Sequence, residues 1–166
     1  MGWIVDGNNL LAQIPGRSMT DLSDRRALAS SLARFCESRR SRMLLCFDGP
    51  PSRGEPRTSH LGRLRIEHSG AGRTADEVIL SAVSDAPRPG DLTVVTSDRS
   101  LSDRCRSLGA RTATVREFRS ALSKTRARSR DGAEKPERPE PSEVAYFLEL
   151  FSGGSDGDSS DPRRRR

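Results

Sequence analysis

Apolar residues in this chain gather into short runs that end in aspartate. Trp3, Ile4 and Val5 lead to Asp6 in "IVDGNN", "MLLCF" (43–47) leads to Asp48, and "DLTVVTSD" (91–98) carries its apolar run toward Asp98. Continuous apolar runs of this length, bounded by turn residues, read as buried strands. Gly7, after the first run, reads as a tight turn.

Between these runs the hydrophobic period changes. A helix is expected from about residue 23 to 40, with Leu28, Leu32 and Phe35 on one face. Residues 52 to 64 carry little hydrophobic signal, and "LRIEHS" (64–69) suggests a short strand. "TADEVILSAV" reads as a helix in which Thr74 and Glu77 fit a capping box. Ala75, Val78, Ile79, Ala82 and Val83 supply its apolar face, and Pro87 and Pro89 end it. A short helix through Leu101, Cys105 and Leu108 stops at Gly109. "TATV" (112–115) is expected as the last strand and "REFRSALSKTRARS" as a final helix. Strands alternating with helices predict a mainly parallel central sheet covered on both faces, a three-layer α/β/α sandwich.

Parallel strands share a carboxyl end, so Asp6, Asp48 and Asp98 converge on one edge of such a sheet. That is where open α/β sheets place their chemistry. Asp76, near the start of a helix, projects from the same rim. Each aspartate alone is a good turn residue or helix cap, and "DGPP" after Phe47 is a good turn sequence. Three at successive strand ends are harder to ascribe to turns. Packed carboxylates repel unless protons or cations compensate. A hard divalent ion, Mg²⁺ or Mn²⁺, is the economical partner, because it takes oxygen ligands and retains waters. Asn8 adds a neutral oxygen donor. Such an ion activates water and neutralises charge on a transferring phosphoryl group.

Composition extends this picture. The 166 residues carry 29 basic and 23 acidic side chains, net +6, and Lys124 and Lys135 are the only lysines. An arginine-rich surface favours phosphate-bearing partners, although an arginine-biased genome leaves the same imprint. Arg53, Arg57, Arg63, Arg65 and Arg73 are candidates to hold a polyanion beside the acidic centre. Phosphate contacts of this kind position RNA without reading its bases. Cys36, Cys46 and Cys105 read as free thiols, with Cys36 and Cys46 in apolar surroundings. No Cys/His spacing around His60 or His68 supports zinc. No phosphate loop is present. A phosphatase using Asp6 as nucleophile is a coherent rival, but its usual acid two residues later is replaced here by Asn8. No signal peptide or membrane-length apolar run is evident, so the cytoplasm is the expected compartment, with no membrane partner. Oligomeric state is not legible.

"IVDGNNLL", "LLCFDG", "GRTADEVIL" and "VVTSDRSL", in this order and spacing, resemble the YacP-like branch of the NYN domain family, within the PIN-like nucleases. The resemblance covers roughly residues 3 to 122 and the "SEVAYFLELF" element (142–151). It implies a PIN-like α/β/α sandwich acting as a metal-dependent endoribonuclease. Asp6, Asn8, Asp76 and Asp98 match its metal and catalytic positions, and Asp48 matches the "FDG" aspartate. Asn9, Thr74, Thr96, Ser97 and Arg99 are the accompanying phosphate-contacting or supporting residues. Many relatives carry an aromatic residue at position 8 and Asn at 9, which leaves Asn8 and Asn9 both open as the functional amide. Some relatives are ribosome-associated messenger-RNA nucleases, which suggests that substrate class. The runner-up function is a non-catalytic RNA- or ribosome-binding protein with a nuclease-like fold; hydrolysis of small phosphate esters is third.

The expected organisation is a nuclease domain over 1–125, a linker over 126–141, a short docking helix over 142–151 and a disordered tail over 152–166. Val144, Phe147, Leu148 and Phe151 give the docking element helical spacing. Four arginines end the tail.

Overall fold

The computed structural model describes residues 2–130. The expected docking helix, the tail and most of the linker lie outside the described residues.

The chain runs β1 (Gly2–Asp6), α1 (Gly7–Ala12), α2 (Leu22–Arg39), β2 (Arg42–Phe47), β3 (Thr58–Leu61) and β4 (Leu64–His68). It continues through α3 (Ala75–Ser84), β5 (Leu92–Val95), α4 (Arg99–Ser107), β6 (Arg111–Ala113) and α5 (Val115–Arg130). The six strands form one sheet in the order β3-β4-β2-β1-β5-β6. All neighbours are parallel except the antiparallel pair β3 and β4. The mainly parallel α/β sandwich expected from the alternation of elements is therefore present.

Strand alternation sorts the side chains between two cores. Val5, Met43, Leu45, Phe47 and Val95 pack with Leu28, Leu32, Phe35, Phe118 and Leu122 beneath α1, α2 and α5. Trp3, Phe35 and Phe118 form an aromatic triad there, with ring centroids 5.2 to 6.1 Å apart. Ile4, Cys46 and Val94 turn the other way, against Val78, Ile79, Leu101 and Cys105 of α3 and α4. Asp6 follows the even-numbered parity of this second set, and Asp48 bonds to the start of α3. These two strand-end acids thus emerge on the side where α3 presents Asp76, and line one depression with it.

Three local expectations are corrected. Gly7 does not form a tight turn but opens α1, because the Asp6 carboxylate caps it and Leu10 and Leu11 are fully buried. β3 was hidden among residues of low hydrophobicity: it is an edge strand, held by backbone pairing to β4 with little side-chain burial. Val115 starts α5 rather than ending a strand, since Thr114 and Glu117 cap each other there.

Candidate active site

The sheet order reverses direction at β1. From β1 the chain builds outward through β2 and β4, then returns to lay β5 on the opposite side. The crevice beyond the carboxyl ends of β1 and β5 is thus a topological switch point, the usual ligand position in an open α/β sheet. Asp6 ends β1 there, and Thr96, Ser97 and Asp98 follow β5.

The two asparagines after Gly7 brace this crevice in opposite directions. Asn8 Oδ1 accepts from the Asp48 backbone N–H at 3.3 Å, fastening the β2 exit. Asn9 Oδ1 accepts from the Ser97 N–H at 3.1 Å, fastening the β5 exit. A backbone N–H requires an acceptor, so both amides are oriented with oxygen toward the fold. Gln13 extends the second brace, its Nε2 lying 2.8 Å from both Asn9 Oδ1 and Ser97 Oγ. Gln13 could have been found from its spacing of four after Asn9 in a helix, had α1 been recognised.

Each acid also holds part of the scaffold. Asp6 Oδ1 accepts from Asn9 N at 3.0 Å as the cap of α1. Asp48 Oδ1 accepts from Ser69 Oγ at 3.2 Å and from Ala75 N at 3.0 Å, seating the start of α3 on β2. Asp98 Oδ1 accepts from Leu101 N at 3.2 Å and caps α4, while its own N–H donates to the buried Thr96 hydroxyl. Thr74 and Glu77 form the expected capping box, leaving Asp76 as the second residue of α3. Ser69, buried and bonded to both Asp48 and Gly49 N, was missed because nothing in "EHSG" distinguishes it from a loop serine. An Asp48→Ala substitution leaves the Ala75 N–H and Ser69 hydroxyl without their carboxylate. It is expected to cost about 1–3 kcal/mol of stability in denaturant unfolding.

Asp6, Asn8, Asn9, Asp48, Thr74 and Asp76 line one open depression of about 420 Å³. Ala12, Met19 and Ala75 complete it. Asp98 is outside that lining, but its charge acts on Asp76. Asp6 is only 8% exposed. Burial pushes its carboxyl up, partly offset by the Asn9 and Asn8 N–H groups and reinforced by repulsion from Asp76 and Asp48. Asp76 is also raised, by burial and then by Asp98 and Asp48, with Arg104 opposing. Arg104 was not singled out from the sequence, because α4 places it two turns away from Asp98. A larger depression of about 690 Å³ beside Arg39, Thr114 and Arg116 contains none of the strand-end acids.

Among the described residues, no three His, Cys, Asp or Glu side chains form a ready metal cage. The donor set is nevertheless all oxygen and electrostatically frustrated, which suits a hard cation. Mg²⁺ characteristically uses one or two carboxylates with waters and substrate phosphate, not a complete protein cage.

The arginine candidates are spread over two ends of the sheet. Arg57 donates to the carbonyls of His68 and Ser69 and so clamps the β4 exit near the acids. Arg73 donates to Glu77 O beside the same helix start, and Arg53 is exposed in the loop after β2. Arg63 and Arg65 pair with Glu37 and Glu67. Arg65 is opposite Leu44, four residues before Asp48 along β2, or roughly 13 Å from the acidic edge. Arg99 is exposed directly after Asp98.

No helix among the described residues is long and apolar enough to cross a membrane. A comparison with curated proteins found no match. Two solved structures share the fold. One is Rae1 (YacP) from Bacillus subtilis carrying a tryptophan-to-leucine substitution, 20% identical, TM-score 0.63, covering 91% of this chain and 92% of that one. The other is Rae1 (YacP) from the same organism, 19% identical, TM-score 0.63, covering 79% and 78%. The sequence profile of the YacP-like NYN domain matches residues 3–148, and with a ribonuclease-like fold built around the four motifs, the chain belongs to the YacP-like NYN domain family.

Proposed function

We propose that this protein is a metal-dependent endoribonuclease that hydrolyses RNA phosphodiester bonds, with messenger RNA on the ribosome as its substrate class and the cytoplasm as its compartment. The observation that carries the reading is that Asp6, Asp48 and Asp76 line one depression while the charge of Asp98 acts on Asp76, with the Asp6 and Asp76 carboxyls raised by burial and by neighbouring carboxylates. Family membership supports RNA as the polymer.

In this reading one or two of Asp6, Asp76, Asp98 and Asp48 would hold Mg²⁺ or Mn²⁺ directly, and the others would reach it through its waters. When bound, the ion supplies an activated water and neutralises phosphoryl charge. The asparagine carbonyls are engaged by backbone N–H groups, so Asn8 and Asn9 act on a phosphate through their NH₂ groups. Thr74, Ser97 and Arg99, at the starts of α3 and α4, add donors where helix N-termini favour anions. Arg53, Arg57 and Arg73 steer the flanking backbone. Arg63 and Arg65 reach only a longer RNA that runs along the sheet edge.

Cleavage of internally labelled RNA in Mn²⁺, Mg²⁺ or EDTA tests the reading. Internal fragments that require the ion are expected. Equal cleavage in EDTA, or trimming from one end only, contradicts it. The second reading, RNA binding without cutting, draws on the structural work of the acids, since Asp6, Asp48 and Asp98 each spend an oxygen on a backbone N–H.

The raised carboxyls also predict a pH effect. A carboxyl whose folded pKa exceeds its unfolded value favours folding while protonated. That contribution is complete below the unfolded value, near 3.8, and is lost as pH rises through the folded value. In EDTA, Asp6→Asn is therefore expected to melt above the parent at pH 7, with the gap closing toward pH 4. Mn²⁺ should raise the parent's midpoint and leave the variant's nearly unchanged. A variant less stable than the parent at pH 7 would contradict the electrostatic account.

A further inference from the structure

The acidic depression contains one large apolar side chain that the chemistry above does not use. Met19 lines it and is 43% exposed, whereas its apolar companions there, Ala12 and Ala75, are small. Met19 therefore offers an apolar contact within a depression that Asp6, Asp48 and Asp76 also line.

The loop that carries Met19 is firmly built. Buried Asp24 accepts from Arg17 Nη1 at 2.9 Å and from Ser18 N at 2.8 Å. The hydroxyls of Ser18 and Thr20 meet at 2.9 Å on either side of the methionine. Arg25 Nε donates to the Met19 carbonyl at 2.6 Å, and the same guanidinium is 5.0 Å from the centroid of the buried Phe47 ring. The backbone of Met19 is therefore held beside the depression by contacts that reach into the core.

A nucleotide whose phosphate meets the acids carries its base next to that phosphate. We infer that Met19 is a base-packing residue: its thioether lies against the face of a nucleobase adjacent to the scissile phosphate. The inference rests on the RNA-cleaving reading and adds a subsite to it. Sulfur against an aromatic face is attractive and polarizable, and it tolerates any base because every base has a π-face. Such a contact orients the strand without reading sequence, and it needs a base that is not stacked and paired within a duplex. Met19 is thus a positioning residue, distinct from the acids that act on the phosphate.

The test is affinity in Ca²⁺, a hard cation that lets phosphate approach the carboxylates, with the oligomers recovered intact after each titration. The probes are a short oligouridylate and an abasic ribose-phosphate oligomer of the same length, each titrated into the parent, Met19→Ala and Met19→Leu. The parent should prefer the oligomer with bases. Met19→Ala should weaken that oligomer about three- to tenfold and leave the abasic one unchanged, and Met19→Leu should restore most of the loss. Thermal midpoints should match, since the side chain is exposed. Equal weakening of both oligomers, no weakening, or a parent indifferent to bases would overturn the inference. Failure of cleavage in Mn²⁺ with base-dependent binding intact would instead count against the nuclease reading and leave the Met19 contact standing.

Discussion

Asp6→Asn is expected to fold as the parent does and to lose metal-dependent RNA cleavage by at least about a hundredfold, the scale on which a single preorganised electrostatic group acts in a transition state. The substitution is nearly isosteric. Its remaining carbonyl oxygen can still accept the Asn9 N–H, and asparagine caps helices about as well as aspartate. What disappears is the most buried of the four charges, at the switch point itself. A structural role for Asp6 would predict lower stability with proportionate activity. The active-site role predicts unchanged or higher stability with activity gone, so cleavage rate and melting temperature measured together separate the two.

Gly7→Ala is expected to destabilise the protein by about 2–3 kcal/mol, or roughly 10 °C in melting midpoint. In an ordinary helix position this change would help by about 1 kcal/mol. Here a Cβ would come within 2.6 and 2.7 Å of Phe47 ring carbons and 2.9 Å of the Cys46 carbonyl oxygen. Phe47 has little room to give: it is 1% exposed, stacked on His68 with centroids 5.6 Å apart, and topped by Arg25. The Cys46 carbonyl is part of β2, so relief there would shift the strand that delivers Asp48. Combining Gly7→Ala with Phe47→Leu should recover part of the loss. An alanine variant as stable as the parent would mean that α1 and β2 are not packed this closely.

These two neighbours, Asp6 and Gly7, mark how far the sequence could be read. The strand ending in Asp6 was legible because Trp3, Ile4 and Val5 form an apolar run, and the same signal located β2 and β5. The capping box of Thr74 and Glu77 located α3 to within a residue. Gly7 misled because glycine before two asparagines is ordinary turn chemistry. Its actual reason for being glycine is a contact with Phe47, forty positions along the chain. β3 escaped because an edge strand needs backbone partners more than hydrophobic side chains. In the site, identity was more legible than function. Asp6, Asp48 and Asp76 could be grouped from the sequence and line one depression, with Asp98 outside it, but Asn8 and Asn9 proved to brace two different strand exits. Ser69, Gln13 and Met19 gained meaning only from three-dimensional neighbours. The division of the arginines into groups near to and far from the acids followed from strand register, which no run of residues 53 to 73 encodes.

The central claim, that the switch-point aspartates make a divalent-ion-dependent RNA-cleaving centre, is tested most directly by one comparison. Parent and Asp6→Asn are incubated side by side with internally labelled RNA, in Mn²⁺ and in EDTA, and the rate of internal cleavage is measured. The account predicts cleavage by the parent in Mn²⁺ only, and none above background by the variant. Equal cleavage by the two proteins, or cleavage by the parent that persists in EDTA, would contradict it.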